Sequence, residues 1–272
     1  MKRPPEVGDE WKATAAWQCL IVLVMLSFTF NQALWYFYRN VPTVANLLGS
    51  VYADTVLRVF RAVWWLTVVL CFARVENLKV FINKVALHRG PDLRGWLAAW
   101  IAFAISLFVV YGVTKQWIPP PEEAQSVKLA GGLRWRLYAA AVVVLTPFYE
   151  ETVMRGFLFK AFRGSYGVPT SVAVILCANT WFHWGLVAKP MSYAMVSLGA
   201  LLLCLIRERT GSLWNCILFH CAYNTVATLG WRFGAALLIV VLPVCVYFAR
   251  RPQPETPRLR PSSVEPPADR VT

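Results

Sequence analysis

The chain has 272 residues, 58% of them hydrophobic and only 15% charged, with a mean hydropathy of +0.50. Soluble domains carry roughly 25% charged residues, so this composition excludes an ordinary soluble globule and describes a polytopic membrane protein. The net charge of +13 is scattered over short segments between apolar runs and forms no single face, which argues against a nucleic-acid partner.

Eight apolar runs set the predicted elements, at 15–36, 57–73, 96–113, 137–159, 168–187, 191–206, 213–230 and 233–249. Most reach the roughly 17 to 25 residues that a helix needs to cross ~30 Å of hydrocarbon. Two are weaker: 57–73 opens with Arg58 and Arg61, and 191–206 is short. The expected fold is therefore all-α, a polytopic transmembrane helix bundle of about eight spans, with seven as the alternative. The first run is too long for a signal core and is followed by no small-residue cleavage site, so it is expected to stay as a signal anchor.

Residues 1–136 read as an N-terminal transmembrane region of three spans with connecting loops, and 137–249 as a second transmembrane core. Residues 250–272, rich in Pro, Arg and Ser, read as a disordered cytoplasmic tail. Between them, 74–94 is an amphipathic cytoplasmic connection and 118–132 a polar outer loop. With both termini inside, the cytoplasmic segments hold 17 Lys and Arg against 7 outside, the bias expected of short cytoplasmic loops. Trp17, Trp35, Trp96, Trp117, Trp135, Trp214 and Trp231 fall near predicted span ends, where an indole anchors at the headgroups. The compact chain and short loops favour a multi-pass protein of a bacterial plasma membrane, with lipids as its surroundings.

Seven cysteines lie within the predicted spans without any CxxC spacing, so no disulfide framework or zinc ribbon is expected. Cys221 follows His220 directly, but neighbours on a helix point about 100° apart and cannot readily share a proton.

The chemistry is expected inside the spans, where Glu150, Glu151, His183 and His220 are the acidic and imidazole groups. A carboxylate at the bilayer centre costs at least ~2.5 kcal/mol on insertion scales, so an intramembrane ionisable cluster is a functional hypothesis by default. Arg155 stands four residues after Glu151, and Asn224 four after His220, spacings that share a helix face. Arg155 is thus expected to neutralise Glu151 and leave Glu150 free for chemistry. Arg155 has a plain alternative, snorkelling to the nearby cytoplasmic surface, and Asn224 has one as interhelical glue. At 1.5 Å per residue, Glu150, His220 and Asn224 lie roughly 10 to 16 Å deep and His183 roughly 18 to 22 Å, a common slab. Pro147 should bend its helix and free a carbonyl near Val143, which membranes tolerate beside a polar cavity.

The run Glu150-Glu151-Thr152-Val153-Met154-Arg155-Gly156, then His183-Trp184-Gly185, then Gly211-Ser212-Leu213-Trp214 leading to His220-Cys221-Ala222-Tyr223-Asn224, resembles the CPBP intramembrane proteases. That family includes the type II CAAX prenyl proteases and relatives of bacteriocin-processing proteins. The resemblance covers roughly 137–228 and makes 137–249 a catalytic core. It implies an intramembrane endopeptidase in which Glu150 activates a water, His183 holds that water, His220 and Asn224 stabilise the oxyanion, and Glu151 with Arg155 shape the site. It implies no cofactor, and a membrane-anchored or lipidated protein or peptide as substrate. One departure is plain: the family's second motif is usually FxxxH, and the position four before His183 is Asn179.

Two other readings use the same residues. His183, His220 and Glu150 could bind zinc with an open position suited to hydrolysis, although no HExxH is present. A non-catalytic immunity or scaffold protein could use the polar cluster for ion passage or partner binding.

Overall fold

The computed structural model describes residues 11–41, 51–74, 78–87, 132–183 and 190–229, with isolated positions at 43, 97, 100 and 101. The predicted spans 96–113 and 233–249, the outer loop at 118–131 and the tail 250–272 lie outside or almost wholly outside these residues.

All regular structure among the described residues is helical. Helices α1 (Ala13–Asn40), α2 (Val51–Ala73) and the short α3 (Leu78–Lys84) precede a composite helix over 132–166. This comprises α4 (Gly132–Ala140), a π-helical segment (Ala141–Leu145), α5 (Thr146–Glu151), a second π-helical segment (Thr152–Leu158) and α6 (Phe159–Tyr166). It is followed by α7 (Val168–Phe182), α8 (Pro190–Thr210) and α9 (Leu213–Leu229).

Three segments are long and apolar enough to cross a bilayer, Ala13–Leu34, Thr55–Ala73 and Trp135–Tyr166, and Val168–Phe182 is a shorter apolar helix. The described residues therefore support three such spans, and the expected total of about eight includes two that fall outside or almost wholly outside them. Within the 168–187 run the described helix covers Val168–Phe182, and α8 extends the short 191–206 run to 21 residues by including charged Arg207, Glu208 and Arg209. The 32 residues of Trp135–Tyr166 rise roughly 48 Å, more than ~30 Å of hydrocarbon. Its Lys160 and Arg163 end must therefore leave the apolar layer, or the helix must tilt.

Helix ends follow local chemistry. Gly167, at φ 81°, stops α6, and Pro169 opens α7 in the first turn, where a missing N–H does no harm. In α1 the buried stripe is Ala13, Ala16, Cys19, Leu20 and Leu23, whereas Ile21, Met25, Leu26 and Phe28 are exposed. α2 repeats the pattern, with Ala62, Trp65, Val69 and Ala73 inside and Val59, Phe60 and Val63 outside. Helix spacing produces both stripes, and small residues in them let backbones approach closely, as lipid-embedded packing requires. The outward apolar faces suit hydrocarbon. Arg58, troublesome in the sequence, lies over the Tyr138 ring at 5.7 Å, a cation–π contact.

Trp11 joins several elements at one end of the bundle. Its ring meets Phe157 at 4.9 Å and Phe81 at 6.1 Å, its indole N–H donates to the Ala73 carbonyl at 3.1 Å, and the Lys84 and Lys160 ammoniums stand 6.0 and 5.7 Å over its ring. Further along, Trp65 packs edge-on to Tyr149 at 5.5 Å and against Phe182 at 4.7 Å. α2 thereby sets the distance between α5 and the end of α7, the two elements that carry Glu150 and His183.

Candidate active site

Glu151 is completely buried, and its Oε1 accepts two bonds, from Arg155 Nη1 at 3.2 Å and from His220 Nδ1 at 2.8 Å. Arg155, only 1% exposed, donates its Nη2 to the Ala200 carbonyl of α8 at 3.0 Å. One carboxylate and one guanidinium thus tie the composite helix to α9 and α8. A buried pair is tolerable because each charge is met by the other and by further hydrogen bonds. The expected Glu151–Arg155 pairing is present, and complete burial excludes the snorkelling alternative. Glu151 Oε2 and Arg155 Nε meet no partner among the described residues.

The His220 contact fixes a tautomer. A carboxylate bound to a guanidinium only accepts, so Nδ1 carries the hydrogen. Among the described residues the other ring nitrogen, Nε2, makes no hydrogen bond.

Pro147 lacks an N–H, and the turn before it, Ala141–Leu145, is π-helical. In an i to i+5 pattern the carbonyl that Pro147 leaves without a donor is Val142, one residue before the position expected of an α-helix. Asn224 supplies the donor: its Nδ2 bonds the Val142 carbonyl at 2.9 Å. An amide nitrogen has two hydrogens, so one remains for other use. Thr146 N–H and Oγ1 both donate to Ala141, the latter at 3.0 Å, and complete the turn. Single π turns inside α-helices recur at functional sites, and here two of them bracket the glutamate pair.

Glu150 differs from its neighbour. It is half-buried, and its contact is a long 3.4 Å bond from the Tyr149 hydroxyl to Oε1. His183, also half-buried, sits just past the end of α7, where its Nδ1 bonds the Asn179 carbonyl at 2.8 Å. A carbonyl can only accept, so Nδ1 is the donor and the neutral ring keeps Nε2 as an acceptor. Glu150 and His183 make no hydrogen bond to each other among the described residues. They are linked through Tyr149, Trp65 and Phe182.

A family profile described as Type II CAAX prenyl endopeptidase Rce1-like matches residues 132–226. This segment is similar to that family. It contains all six predicted site residues, Glu150, Glu151, Arg155, His183, His220 and Asn224, and begins where the composite helix begins. The match and the three helices that are, among the described residues, long and apolar enough to cross a bilayer together support an integral membrane protein similar to a protease family. No curated protein and no solved structure matches the chain.

Sequence reasoning missed a clamp on the edge of the Rce1-like segment. Three carbonyls at the end of α3 and in the turn after it, Lys84, Val85 and Leu87, accept from Lys160 Nζ at 3.0 Å, Arg207 Nη2 at 3.1 Å and Trp214 Nε1 at 2.7 Å. These are the orphan acceptors that a helix end leaves, and cationic side chains suit them. Arg207 also bonds Gly211 O at 2.7 Å, at the turn into α9. Trp214 is therefore a structural donor as well as a predicted surface anchor. Gly156 completes the contact: a Cβ there would stand 3.2 Å from Val85 side-chain carbons and 3.3 Å from Leu213 Cδ2. A glycine directly after Arg155 was the available signal, since close backbone approach is what glycine permits.

Among the described residues no three His, Cys, Asp or Glu side chains gather closely enough to hold a metal ion. Of the zinc set weighed from sequence, His183, His220 and Glu150, the His220 Nδ1 is bonded to Glu151.

Proposed function

We propose that the protein is an intramembrane endopeptidase that hydrolyses a peptide bond in a membrane-anchored or lipidated protein, with Glu150 as the general base. Support comes first from the Glu151–His220 bond at 2.8 Å. It brings the α9 imidazole to the composite helix at the glutamate pair, where Glu151 is fully buried and Glu150 only half-buried.

In this reading Glu150 takes a proton from a water that His183 Nε2 helps orient, and the hydroxide attacks the scissile carbonyl. His220, protonated over Glu151, donates Nε2–H to the developing oxyanion, and Asn224 adds its second amide hydrogen. Glu150 then passes its proton to the leaving amine. A positioned base contributes roughly 10² to 10⁴ in rate, and each oxyanion donor about 3 to 4 kcal/mol. Arg155 touches no reacting atom. It holds the Glu151 carboxylate in place.

The setting is a multi-pass protein of a bacterial plasma membrane with both termini cytoplasmic, working without a cofactor. Cleavage of a membrane-anchored reporter by the full-length protein tests the reading. Activity should survive chelators and vanish in Glu150→Ala. Chelator-sensitive activity restored by zinc would favour the zinc reading, and a phenotype retained in Glu150→Ala would sink both enzymes in favour of a binding role.

A further inference from the structure

The inner face of α7 is Ser171, Ile175, Ala178 and Asn179. Ser171 is satisfied locally, its hydroxyl donating to Gly167 O at 2.6 Å, and Ile175 and Ala178 are apolar. Asn179 stands apart. It is 7% exposed, and its side-chain amide makes no hydrogen bond among the described residues, although its backbone carbonyl accepts from His183 Nδ1 at 2.8 Å.

An amide offers two donors and an acceptor, and buried polar groups in native structures are nearly always paired. Left alone, such a group carries its full desolvation penalty. Glu151 Oε2 and Arg155 Nε are sealed from accessible space; the Asn179 amide is not among the sealed groups. Residues 179 and 183 are one turn apart on one face of the helix, so the amide borders the histidine assigned to the water. Burial, lack of a partner and residual access together point to a ligand group that completes it.

We propose that Asn179 is a specificity-determining residue whose amide hydrogen-bonds a polar side chain of the substrate next to the scissile bond. The substrate class is then a membrane-anchored peptide with Ser, Thr, Asn or Gln at that position in preference to an aliphatic residue. An aliphatic side chain would leave the amide buried and unmatched, and sites built on hydrogen bonds discriminate strongly against partners that lack them. This inference rests on the protease reading.

The test has two steps. Membrane-protein termini compared by mass spectrometry between cells producing wild type and Glu150→Gln identify the cleaved bonds. Membrane-tethered peptides with Ser, Asn, Val or Leu at each position flanking such a bond then give kcat/KM for the full-length protein. Wild type should favour a polar residue at one flanking position by roughly tenfold or more, the discrimination that one buried hydrogen bond supports. Asn179→Leu, close in shape, should erase or invert that preference. Asn179→Ala, which cannot overpack, should erase it too and covers the case in which the leucine variant does not fold. Glu150-dependent cleavage without polar preference, or Asn179 variants that slow every peptide equally, overturns the inference and leaves the protease reading standing. Absence of any Glu150-dependent cleavage overturns both.

Discussion

The two adjacent glutamates sit in opposite surroundings. Around Glu151 the polar groups are sealed and cross-linked: it is fully buried, Arg155 is 1% exposed, and the pair is tied to His220 and to the Ala200 carbonyl. Around Glu150 and His183 the groups are half-buried and, among the described residues, each has a single local hydrogen bond, while Asn179 one turn away has an amide with none. The difference separates support from chemistry. Charges paired and sealed in a low-dielectric interior hold geometry, whereas a general base needs access to water.

Breaking the sealed half should have the largest effect on stability. Arg155→Met leaves the Glu151 carboxylate buried without a counter-charge and should cost about 3 to 5 kcal/mol, read as a lowered unfolding midpoint in detergent. Gly156→Ala pushes a methyl against Val85 and Leu213 at 3.2 to 3.3 Å and should cost about 1 to 3 kcal/mol as overpacking does, with folded protein recovered. Asn224→Leu orphans the Val142 carbonyl, and the expected loss is of order 1 to 3 kcal/mol. That variant sharpens the comparison, because it should lower cleavage more than its stability loss accounts for if the second amide hydrogen serves the oxyanion. The smallest effect belongs to Arg163, which grips Glu208 at 3.1 to 3.3 Å but is 44% exposed; Arg163→Ala should change the midpoint by no more than about 1 kcal/mol in free energy.

The sealed pair was readable from spacing alone, since residues four apart on a helix meet whatever the tertiary structure. The polar residues of the site were readable because ionisable groups are rare in apolar runs. What spacing could not supply were contacts between elements. His220 lies 69 positions from Glu151, and nothing local says that its imidazole faces that carboxylate and not Glu150. The orphan carbonyl falls on Val142, one residue from the expected place, because α-helical counting cannot foresee a π turn. The clamp on Lys84, Val85 and Leu87 uses backbone oxygens, which every residue has and which no composition reveals. The count of spans is a separate matter, because the predicted runs 96–113 and 233–249 and the end of 168–187 lie outside or almost wholly outside the described residues.

Cleavage and unfolding measured side by side on Glu150→Gln and Glu151→Gln test the division of labour most directly. Glu150→Gln should reduce cleavage of a membrane-anchored reporter by roughly 10² to 10⁴ at an unchanged unfolding midpoint, while Glu151→Gln should lower the midpoint, leaving Arg155 without its counter-charge. A Glu150→Gln protein that cleaves normally, or one that loses stability as Glu151→Gln does, would contradict the assignment of chemistry to Glu150.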